Sequence, residues 1–248
     1  MKAMILAAGR GERMRPLSDH TPKPLLVVGG KPLVVWQIER LVRAGFDDIV
    51  INHAHLGSLM EAALGDGGQF ASRIRYSPEP QALETMGGIA QALPLLGPEP
   101  FLAVSADIYT EFDYARLKPR LEEIALRPEQ VVAHFVLTDN PDFHPDGDMG
   151  LNDGRVSLEG PKLNYGNIAV FHPQLFSDIL PGTKCALFPF MYQQVRAGKV
   201  SGEHFRGCWF NIGTPQQLMA LDRLLRSQRA QYPPPPLANI SRWKPGSN

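Results

Sequence analysis

The sequence predicts an α/β fold, a Rossmann-like three-layer sandwich in which helices cover both faces of a mostly parallel sheet. Two observations support this fold class. Residues 2–8 form a near-continuous apolar strand, which is typical of a parallel strand buried on both faces. From there to residue 104, short apolar runs alternate with helical patterns in the order β-α-β-α-β-α-β. Such units, joined by right-handed crossovers, give a layered sheet.

The first half of the chain contains four predicted strands and three predicted helices. Pro32 opens the first helical pattern and Gly45 follows its end, which are the usual places of these residue types at helix termini. Gly65 ends the second helix, and Gly97 ends the third. The strands are residues 2–8, 48–52, 73–77 and 101–104, and the helices are residues 32–44, 56–64 and 87–96.

The second half is less regular, and a polar loop rich in Pro, Gly and Asp is expected over residues 140–154. The predicted helices are residues 112–126, 173–180, 188–197 and 215 to about 229, and the predicted strands are residues 131–137, 155–158, 167–171, 200–205 and 208–211. Four consecutive prolines after Tyr232 cannot join a helix or a central strand. Residues 230–248 are therefore predicted to form a Pro-rich tail.

Charge and composition argue against several classes of protein. The 25 Lys and Arg residues balance the 25 Asp and Glu residues, whereas a general nucleic-acid binder needs a basic excess. No apolar run approaches the roughly 20 residues of a membrane-spanning helix. Cys185 and Cys208 do not form a C-x-x-C pair, so we expect two reduced thiols in a cytoplasmic protein.

A glycine-rich turn with several cations follows the first strand. Residues 6–17 read L-A-A-G-R-G-E-R-M-R-P-L and include three arginines. Small residues let backbone N–H groups approach an anion closely, and a following helical turn adds partial positive charge. Lys23, in the proline-flanked sequence P-K-P-L, adds another cation. This combination predicts a site for a polyphosphate.

Two familiar phosphate-binding motifs do not fit this turn. No G-K-[ST] follows it, as a P-loop requires. A dinucleotide site needs a glycine where Met14 stands and an acidic residue where Asn52 stands, so an NAD-dependent oxidoreductase is disfavoured. Asp107 follows the fourth strand. Because the carboxyl ends of parallel strands meet at one edge of a sheet, we expect Asp107 to lie close to the turn.

The stretch from Met4 to Leu25, with L-A-A-G-x-G-x-R-M followed by P-K-P-L, resembles the sugar-1-phosphate nucleotidylyltransferase family. The resemblance extends to about Leu225. It implies the nucleotide-diphospho-sugar transferase type of fold, with a mixed sheet and a single domain over residues 1–229. Within that domain, the nucleotide would bind in residues 1–111 and the sugar in residues 112–229.

The resemblance also implies an activity, which is Mg²⁺-dependent transfer of a nucleotidyl group to a sugar 1-phosphate with release of pyrophosphate. The partners would be a nucleoside triphosphate and a sugar 1-phosphate, and the protein would be a monomer or a small homo-oligomer. Segments 51–54, 76–79, 83–85, 92–97, 139–141 and 200–204 are similar to the small bacterial members that use UTP and N-acetylmuramic acid 1-phosphate. A mannose- or glucose-1-phosphate transferase using GTP, UTP or dTTP is the alternative within the family.

Roles for individual residues follow from the resemblance, residue by residue. Arg13 and Lys23 would be the catalytic cations. The backbone of Ala8, Gly9 and Gly11 would hold the triphosphate. The other expected roles are contact with the nucleotide at Glu79, at Ser105 and at Gly87 in a Gly87-Gly88 turn, contact with the sugar at Asp148, and Mg²⁺ coordination at Asp107 and Asn211.

The sequence departs from the family pattern in three places. Ser105-Ala106-Asp107 replaces N-G-D, Met86 replaces a small residue, and Asn211 replaces the second metal-binding aspartate. An amide oxygen can still bind Mg²⁺ but carries no unit charge, so we expect weaker Mg²⁺ binding and slow turnover. The three departures together leave open a second hypothesis, a degenerate relative that binds a nucleotide sugar without turning it over.

Overall fold

The computed structural model describes residues 1–231, with the side chains described as far as residue 228. The Pro-rich tail predicted for residues 230–248 lies, from residue 232 onward, outside the described residues. Within residues 1–231, none of the helices combines the length and the apolar character that crossing a membrane requires.

A nine-stranded mixed sheet forms the centre of the molecule, in the order β5-β4-β1-β6-β11-β8-β12-β10-β9. Its strands are β1 (Lys2–Leu6), β4 (Asp48–His53), β5 (Arg73–Pro78), β6 (Phe101–Ser105), β8 (Ala133–Thr138), β9 (Met149–Asn152), β10 (Arg155–Ser157), β11 (Lys162–Phe171) and β12 (Val200–Phe205). The two-stranded sheets are β2 (Val27–Val28) with β3 (Lys31–Pro32), and β7 (Ile108–Thr110) with β13 (Trp209–Asn211). Within the nine-stranded sheet, β10 and β11 are antiparallel to the other strands, which all point in one direction. The prediction of a mixed, mostly parallel sheet is therefore confirmed.

Helices lie on both faces of this sheet and give three layers. They are α1 (Leu33–Arg43), α2 (Gly57–Leu64), α3 (Glu84–Leu96), α4 (Lys118–Leu126), α5 (Phe190–Arg196) and α6 (Pro215–Gln231). Successive side chains of a strand point to opposite faces, so Ile5 packs with α1, α2 and α4 on one face while Met4 packs with α3 and α5 on the other. A smaller apolar cluster joins α6 to β2, through contacts that include Val28, Leu221 and Leu225.

The predicted elements of the first half are present, with differences at their ends. β1 ends at Leu6, so Ala7 and Ala8 belong to the turn that follows rather than to the strand. α3 begins at Glu84, three residues before the predicted start. The predicted Gly87-Gly88 turn is therefore wrong, because both glycines lie inside the first turns of this helix.

Larger differences occur in the second half. The helix predicted for residues 173–180 is only a 3₁₀ turn, Pro173–Phe176, because the chain then bends through Pro181 and Gly182 and docks against α3. The predicted loop at residues 140–154 contains β9. Asp153 and Gly154 both adopt positive φ and connect β9 to β10 as a tight hairpin.

Two further elements differ in extent. The helix predicted for residues 112–126 is a 3₁₀ turn, Tyr114–Leu117, followed by α4. The strand predicted for residues 167–171 is the second half of β11, which starts at Lys162 and is interrupted by an irregularity between Tyr165 and Ile168. Asn167 lies in this irregularity with a φ of 56°.

Candidate active site

An open cleft of about 320 Å³ lies at the carboxyl ends of β1, β4 and β6. The sheet register places Leu6 beside Asn52 on one side and beside Ser105 on the other, so the three strands end at the same level. The cleft has the size of a small-molecule site and the location at which open α/β sheets bind ligands. The residues predicted for the site that line this cleft are Ala8, Gly9, Gly11, Lys23, Ser105 and Asp107.

The turn after β1 has the close backbone approach that its glycines predict. Gly11 has a φ of 68°, and a Cβ atom there would lie 3.0 Å from Lys23 Cβ, so a larger residue would be strained and crowded. Gly9 has open space where its Cβ would be. The Ser18 hydroxyl donates to the Gly11 carbonyl at 2.7 Å and anchors the far end of the turn.

Lys23 and Asp107 form an ion pair in the cleft, with Lys23 Nζ 2.5 Å from Asp107 Oδ2. Lys23 is buried, whereas the Asp107 side chain is 34 % exposed. The structure thus brings together two groups that are 84 residues apart in the chain. Their charges compensate each other, and the exposed carboxylate remains accessible from the cleft.

Arg13 and Asn211 are not among the residues that line the cleft. Arg13 is exposed, and a Cβ atom on Gly213 would be 3.1 Å from its Nη2 atom. Asn211 pairs with Ile108 across β7 and β13, and the next residue donates its N–H to the Asp107 carbonyl at 2.8 Å. The backbone therefore ties the Asn211 strand directly to Asp107.

The Asn211 Oδ1 atom is buried and has no hydrogen-bond partner. Buried oxygens are normally satisfied, so an unsatisfied one is a candidate ligand for a cation. In the part of the chain that the structure describes, no group of three or more His, Cys, Asp or Glu side chains could hold a metal ion. One carboxylate and one amide oxygen fit a hard divalent cation that takes its other ligands from phosphate oxygens and water.

Glu79 lies behind the cleft wall and does not line the cleft. Its carboxylate is buried and accepts hydrogen bonds from Asn52 Nδ2 at 2.6 Å and from the Leu83 N–H at 2.8 Å. Burial raises the pKa of Glu79, and these two hydrogen bonds offset part of that increase. Asn52, which does line the cleft, accepts the Ala7 N–H on its Oδ1 atom at 2.8 Å.

Gly87 also lies outside the residues that line the cleft, and it packs against a loop. The N–H groups of Met86 and Gly87 both donate to the Cys185 carbonyl at 3.0 Å, and Cys185 N–H donates to the Leu83 carbonyl at 2.9 Å. A Cβ atom on Gly87 would lie 2.2 Å from the Thr183 carbonyl oxygen. Glycine is required here because the loop backbone lies directly on the helix.

This docked loop, residues 183–185, places Lys184 at the edge of the cleft. The Lys184 ammonium group is 3.4 Å from the Glu84 carboxylate, and both side chains are largely exposed. Glu84 has a φ of 62°, a left-handed conformation that is unusual for a residue with a side chain.

Asp148 is separate from the cleft and has two partners of its own. Its Oδ1 atom is 3.1 Å from His144 Nε2, and its Oδ2 atom accepts the Tyr165 N–H at 2.7 Å. Burial raises the pKa of the Tyr165 hydroxyl, and the Asp148 charge raises it further. Asp148 therefore organises the start of β11.

Nine residues that line the cleft were not predicted as site residues. Four of them, Leu6, Ala7, Pro24 and Ala106, lie within or beside the predicted motifs, and the other five are Asn52, Ala82, Glu84, Thr85 and Lys184. Asn52 had a usable signal, since it stands at the end of the second strand, where α/β sheets place ligand-contacting residues. Lys184 had none, because its place depends on the docking of a distant loop.

Comparisons with known proteins show the family to which the chain belongs. Residues 2–142 match the nucleotidyl transferase family. The chain is 49% identical to an N-acetylmuramate alpha-1-phosphate uridylyltransferase of Neisseria meningitidis, over 86% of this chain and 94% of that protein. It is 35% identical to a Caulobacter vibrioides protein of the same name, over 90% of this chain and 96% of that protein.

Solved structures show the same fold at low sequence identity. A Bacillus anthracis protein crystallised with sucrose has a TM-score of 0.77 at 22% identity, covering 91% of this chain and 95% of that one. HddC from Yersinia pseudotuberculosis, in complex with GMP-PN, has a TM-score of 0.73 at 19% identity, covering 90% of this chain and 98% of that one. The chain belongs to the nucleotidyl transferase family and is a sugar-1-phosphate nucleotidyltransferase.

Proposed function

We propose that the chain transfers UMP from UTP to N-acetylmuramic acid 1-phosphate in a Mg²⁺-dependent reaction that releases pyrophosphate. The observation that carries this proposal is the 49% identity to the N-acetylmuramate alpha-1-phosphate uridylyltransferase of Neisseria meningitidis, which extends over 94% of the length of that protein. The product would be a nucleotide-activated cell-wall sugar, which suits a role in peptidoglycan recycling.

The chemistry requires charge compensation more than proton transfer. An oxygen of the sugar phosphate attacks the α-phosphorus of UTP, the bond from that phosphorus to the bridging oxygen breaks, and its electron pair leaves with pyrophosphate. The nucleophile is already anionic, so no general base is needed. The barrier lies in bringing two anions together, and preorganised cations and N–H donors lower it.

In this proposal, the turn after β1 and two cationic side chains bind the phosphates. The backbone of Ala8, Gly9 and Gly11 binds the triphosphate, and Lys23 and Arg13 stabilise charge on the reacting phosphates. Lys23 exchanges its contact with Asp107 for a phosphate oxygen. Support comes from the ion pair at 2.5 Å, because it holds the ammonium group inside the cleft.

Asp107 and Asn211 are the residues that would hold Mg²⁺ in this proposal. Their oxygens are of the hard type that Mg²⁺ prefers, and the buried, unpartnered Asn211 Oδ1 atom supports the assignment. When bound, the ion would offset negative charge on the phosphates during transfer.

The remaining contacts divide between the two halves of the domain. Residues 1–111 bind the nucleotide, with Ser105 in the cleft and Gly87 keeping α3 close to its neighbouring loop. Residues 112–229 bind the sugar, with Asp148 in that half. Lys184 lies at the edge of the cleft, and we assign it to the phosphate of the second substrate.

The cellular setting is also part of the proposal. The substrates are small molecules, nucleic acid is not a partner, and the enzyme acts as a monomer or a small homo-oligomer. We place the reaction in the cytoplasm, where Cys185 and Cys208 stay reduced; both cysteines are free in the structure.

A pyrophosphate-release assay with a panel of substrate pairs tests the proposal. We expect the highest kcat/KM for UTP with N-acetylmuramic acid 1-phosphate, and loss of release in Lys23→Met. Higher kcat/KM for GTP with mannose 1-phosphate, or for dTTP with glucose 1-phosphate, would assign a different member of the family. UTP binding without release from any pair would indicate the nucleotide-sugar-binding relative.

A further inference from the structure

Glu79 is a buried carboxylate with two neutral hydrogen-bond partners. It is 5% exposed, Oε1 accepts from Asn52 Nδ2 at 2.6 Å, and Oε2 accepts from the Leu83 N–H at 2.8 Å. Its own N–H donates to the His53 carbonyl at 2.8 Å, which fixes its backbone. Burying a carboxylate costs free energy, as its raised pKa reflects, so its hydrogen bonds must be well satisfied.

The Asn52 side chain connects Glu79 to the turn after β1 by hydrogen bonds at both ends of its amide group. Its Oδ1 atom accepts the Ala7 N–H at 2.8 Å, while its Nδ2 atom donates to Glu79. An acceptor at Glu79 requires the Nδ2 atom on that side, which leaves Oδ1 for Ala7. The carboxylate of Glu79 therefore determines the orientation of the Asn52 amide.

α3 packs directly on this hydrogen bond. A Cβ atom on Gly88 would lie 2.7 Å from Asn52 Nδ2 and 2.7 Å from Glu79 Oε1. A glycine at this position lets the helix approach without displacing either polar group. The glycine, the amide and the carboxylate thus form one packed unit behind the cleft.

We propose that Glu79 is a positioning residue for the nucleotide, acting through Asn52 on the turn at Ala7 and through Leu83 on the segment before α3. Both segments line the cleft, the first with residues 7–9 and the second with Ala82, Glu84 and Thr85. Glu79 itself does not line the cleft, so its effect on the nucleotide is indirect. This inference rests on the proposed function in that it takes the cleft as the nucleotide site.

Exchanging acceptors and donors in this network tests the proposal. In Glu79→Gln the amide oxygen can still accept from Leu83, but its NH₂ group then faces the NH₂ group of Asn52. The side-chain amide of Asn52 must then rotate so that Oδ1 and Nδ2 exchange places, and the Ala7 N–H loses its acceptor. In Asn52→Asp two carboxylates face each other. We expect each variant to raise the Kd for UTP by about tenfold or more, because a buried donor or acceptor is left unsatisfied.

The double variant Asn52→Asp with Glu79→Gln restores every donor and acceptor. The introduced glutamine donates to the introduced aspartate and accepts from the Leu83 N–H, and the aspartate accepts from the Ala7 N–H. We expect the Kd of this variant for UTP to return to within about threefold of the wild-type value. In steady-state kinetics, the single variants should raise the KM for UTP while the KM for the sugar phosphate changes little. Glu122→Gln, on the exposed side of α4, is the matched control.

Calorimetric titration with UTP, GTP and dTTP separates failure of this inference from failure of the proposed function. If the wild type binds none of the three, the cleft is not a nucleotide site. If it binds UTP and Glu79→Gln binds equally tightly, Glu79 does not position the nucleotide. If the double variant folds but stays as weak as the single variants, restoring the hydrogen bonds does not restore UTP binding, which also overturns the proposal. Should the single variants not fold, Gly88→Ala disturbs the same hydrogen bond without changing a polar group, and it should weaken UTP binding.

Discussion

At the scale of single residues, the buried Asn211 amide is the feature of the site with the clearest electrostatic consequence. Its Oδ1 atom has no hydrogen-bond partner, and the following N–H binds the Asp107 carbonyl. An aspartate here would add a unit of negative charge beside Asp107. That charge would favour a bound cation, and without a cation it would repel the first carboxylate.

We therefore predict opposite effects of Asn211→Asp with and without Mg²⁺. The Mg²⁺ concentration for half-maximal activity should fall about tenfold or more, since a charge pair a few ångströms apart is worth on the order of 4 kcal/mol before desolvation. Without Mg²⁺, Tm should fall below that of the wild type. Activity titrations and thermal unfolding, with and without Mg²⁺, measure the two effects. Asn152→Asp, at an exposed position, controls for the added charge, and identical Mg²⁺ curves for Asn211→Asp and the wild type would contradict the prediction.

At the scale of elements, the contact between α3 and residues 183–185 completes the cleft. Three backbone hydrogen bonds join Leu83, Met86 and Gly87 to Cys185. The absence of a side chain at Gly87 permits this approach, because a Cβ atom there would meet the Thr183 carbonyl oxygen at 2.2 Å. Lys184 reaches the cleft as a consequence of this contact.

Gly87→Ala should displace this loop and remove Lys184 from the cleft. We expect a loss of about 1–3 kcal/mol in the free energy of unfolding, because the overlapping backbone must move. The KM for the sugar phosphate should rise, since the proposed contact with Lys184 is lost. Denaturant unfolding and steady-state kinetics measure these effects.

Lys184→Ala is the control that separates the two effects of Gly87→Ala. It removes an exposed side chain, so its free energy of unfolding should stay within about 0.5 kcal/mol of the wild-type value. Its KM for the sugar phosphate should still rise. An unchanged KM in Lys184→Ala would show that any kinetic effect of Gly87→Ala comes from the helix itself.

Local signals explain which elements were predictable. α1 has proline before its start and glycine after its end, and its apolar residues recur on one face, so propensity and packing agree. Residues 173–180 also have helical composition, yet hydrogen bonds from residues 183–185 to α3 redirect the chain after Phe176. Tertiary contacts of this kind are not encoded in a short window of sequence.

Some residues of the site were likewise predictable from local sequence, and others were not. The turn after β1 and Asp107 were predictable because both follow strands whose carboxyl ends meet at one edge of the sheet. The position of Glu79 behind Asn52 was not, because the direction of a side chain depends on its neighbours across the sheet. Lys184 depends in addition on a long-range loop contact.

At the scale of the whole molecule, one continuous sheet joins the two halves. β11 lies between β6 and β8 and is antiparallel to both, so a strand of the second half extends the parallel strands of the first. Further along, β8 and β12 are parallel neighbours, with Ser201 beside His134. Glu203 on β12 lies near His134 of β8 and pairs with Arg116 at 2.5 Å, so its carboxylate stands at the junction of these two strands.

The pKa of Glu203 links this region to the pH dependence of stability. Burial alone would raise this pKa, but His134, whose Nε2 atom is 3.4 Å from the carboxylate, and the charge of Arg116 outweigh it and lower the pKa below the usual 4.5. The folded state therefore favours the ionised carboxylate. Its contribution to stability is fully present above about pH 4.5, and it is lost as the pH falls through the lowered pKa of the folded state.

We predict that Glu203→Gln costs about 1–3 kcal/mol of unfolding free energy at pH 7, because it removes a charge-assisted hydrogen bond from a half-buried site. The difference between wild type and variant should shrink as the pH falls below 4.5, where the wild-type carboxylate takes up a proton and loses the same interaction. Urea unfolding at pH 7, 5, 4 and 3 measures this difference, with the exposed substitution Glu129→Gln as the control. A difference that stays constant over this range would mean that the charge of Glu203 is not what supports the junction of β8 and β12.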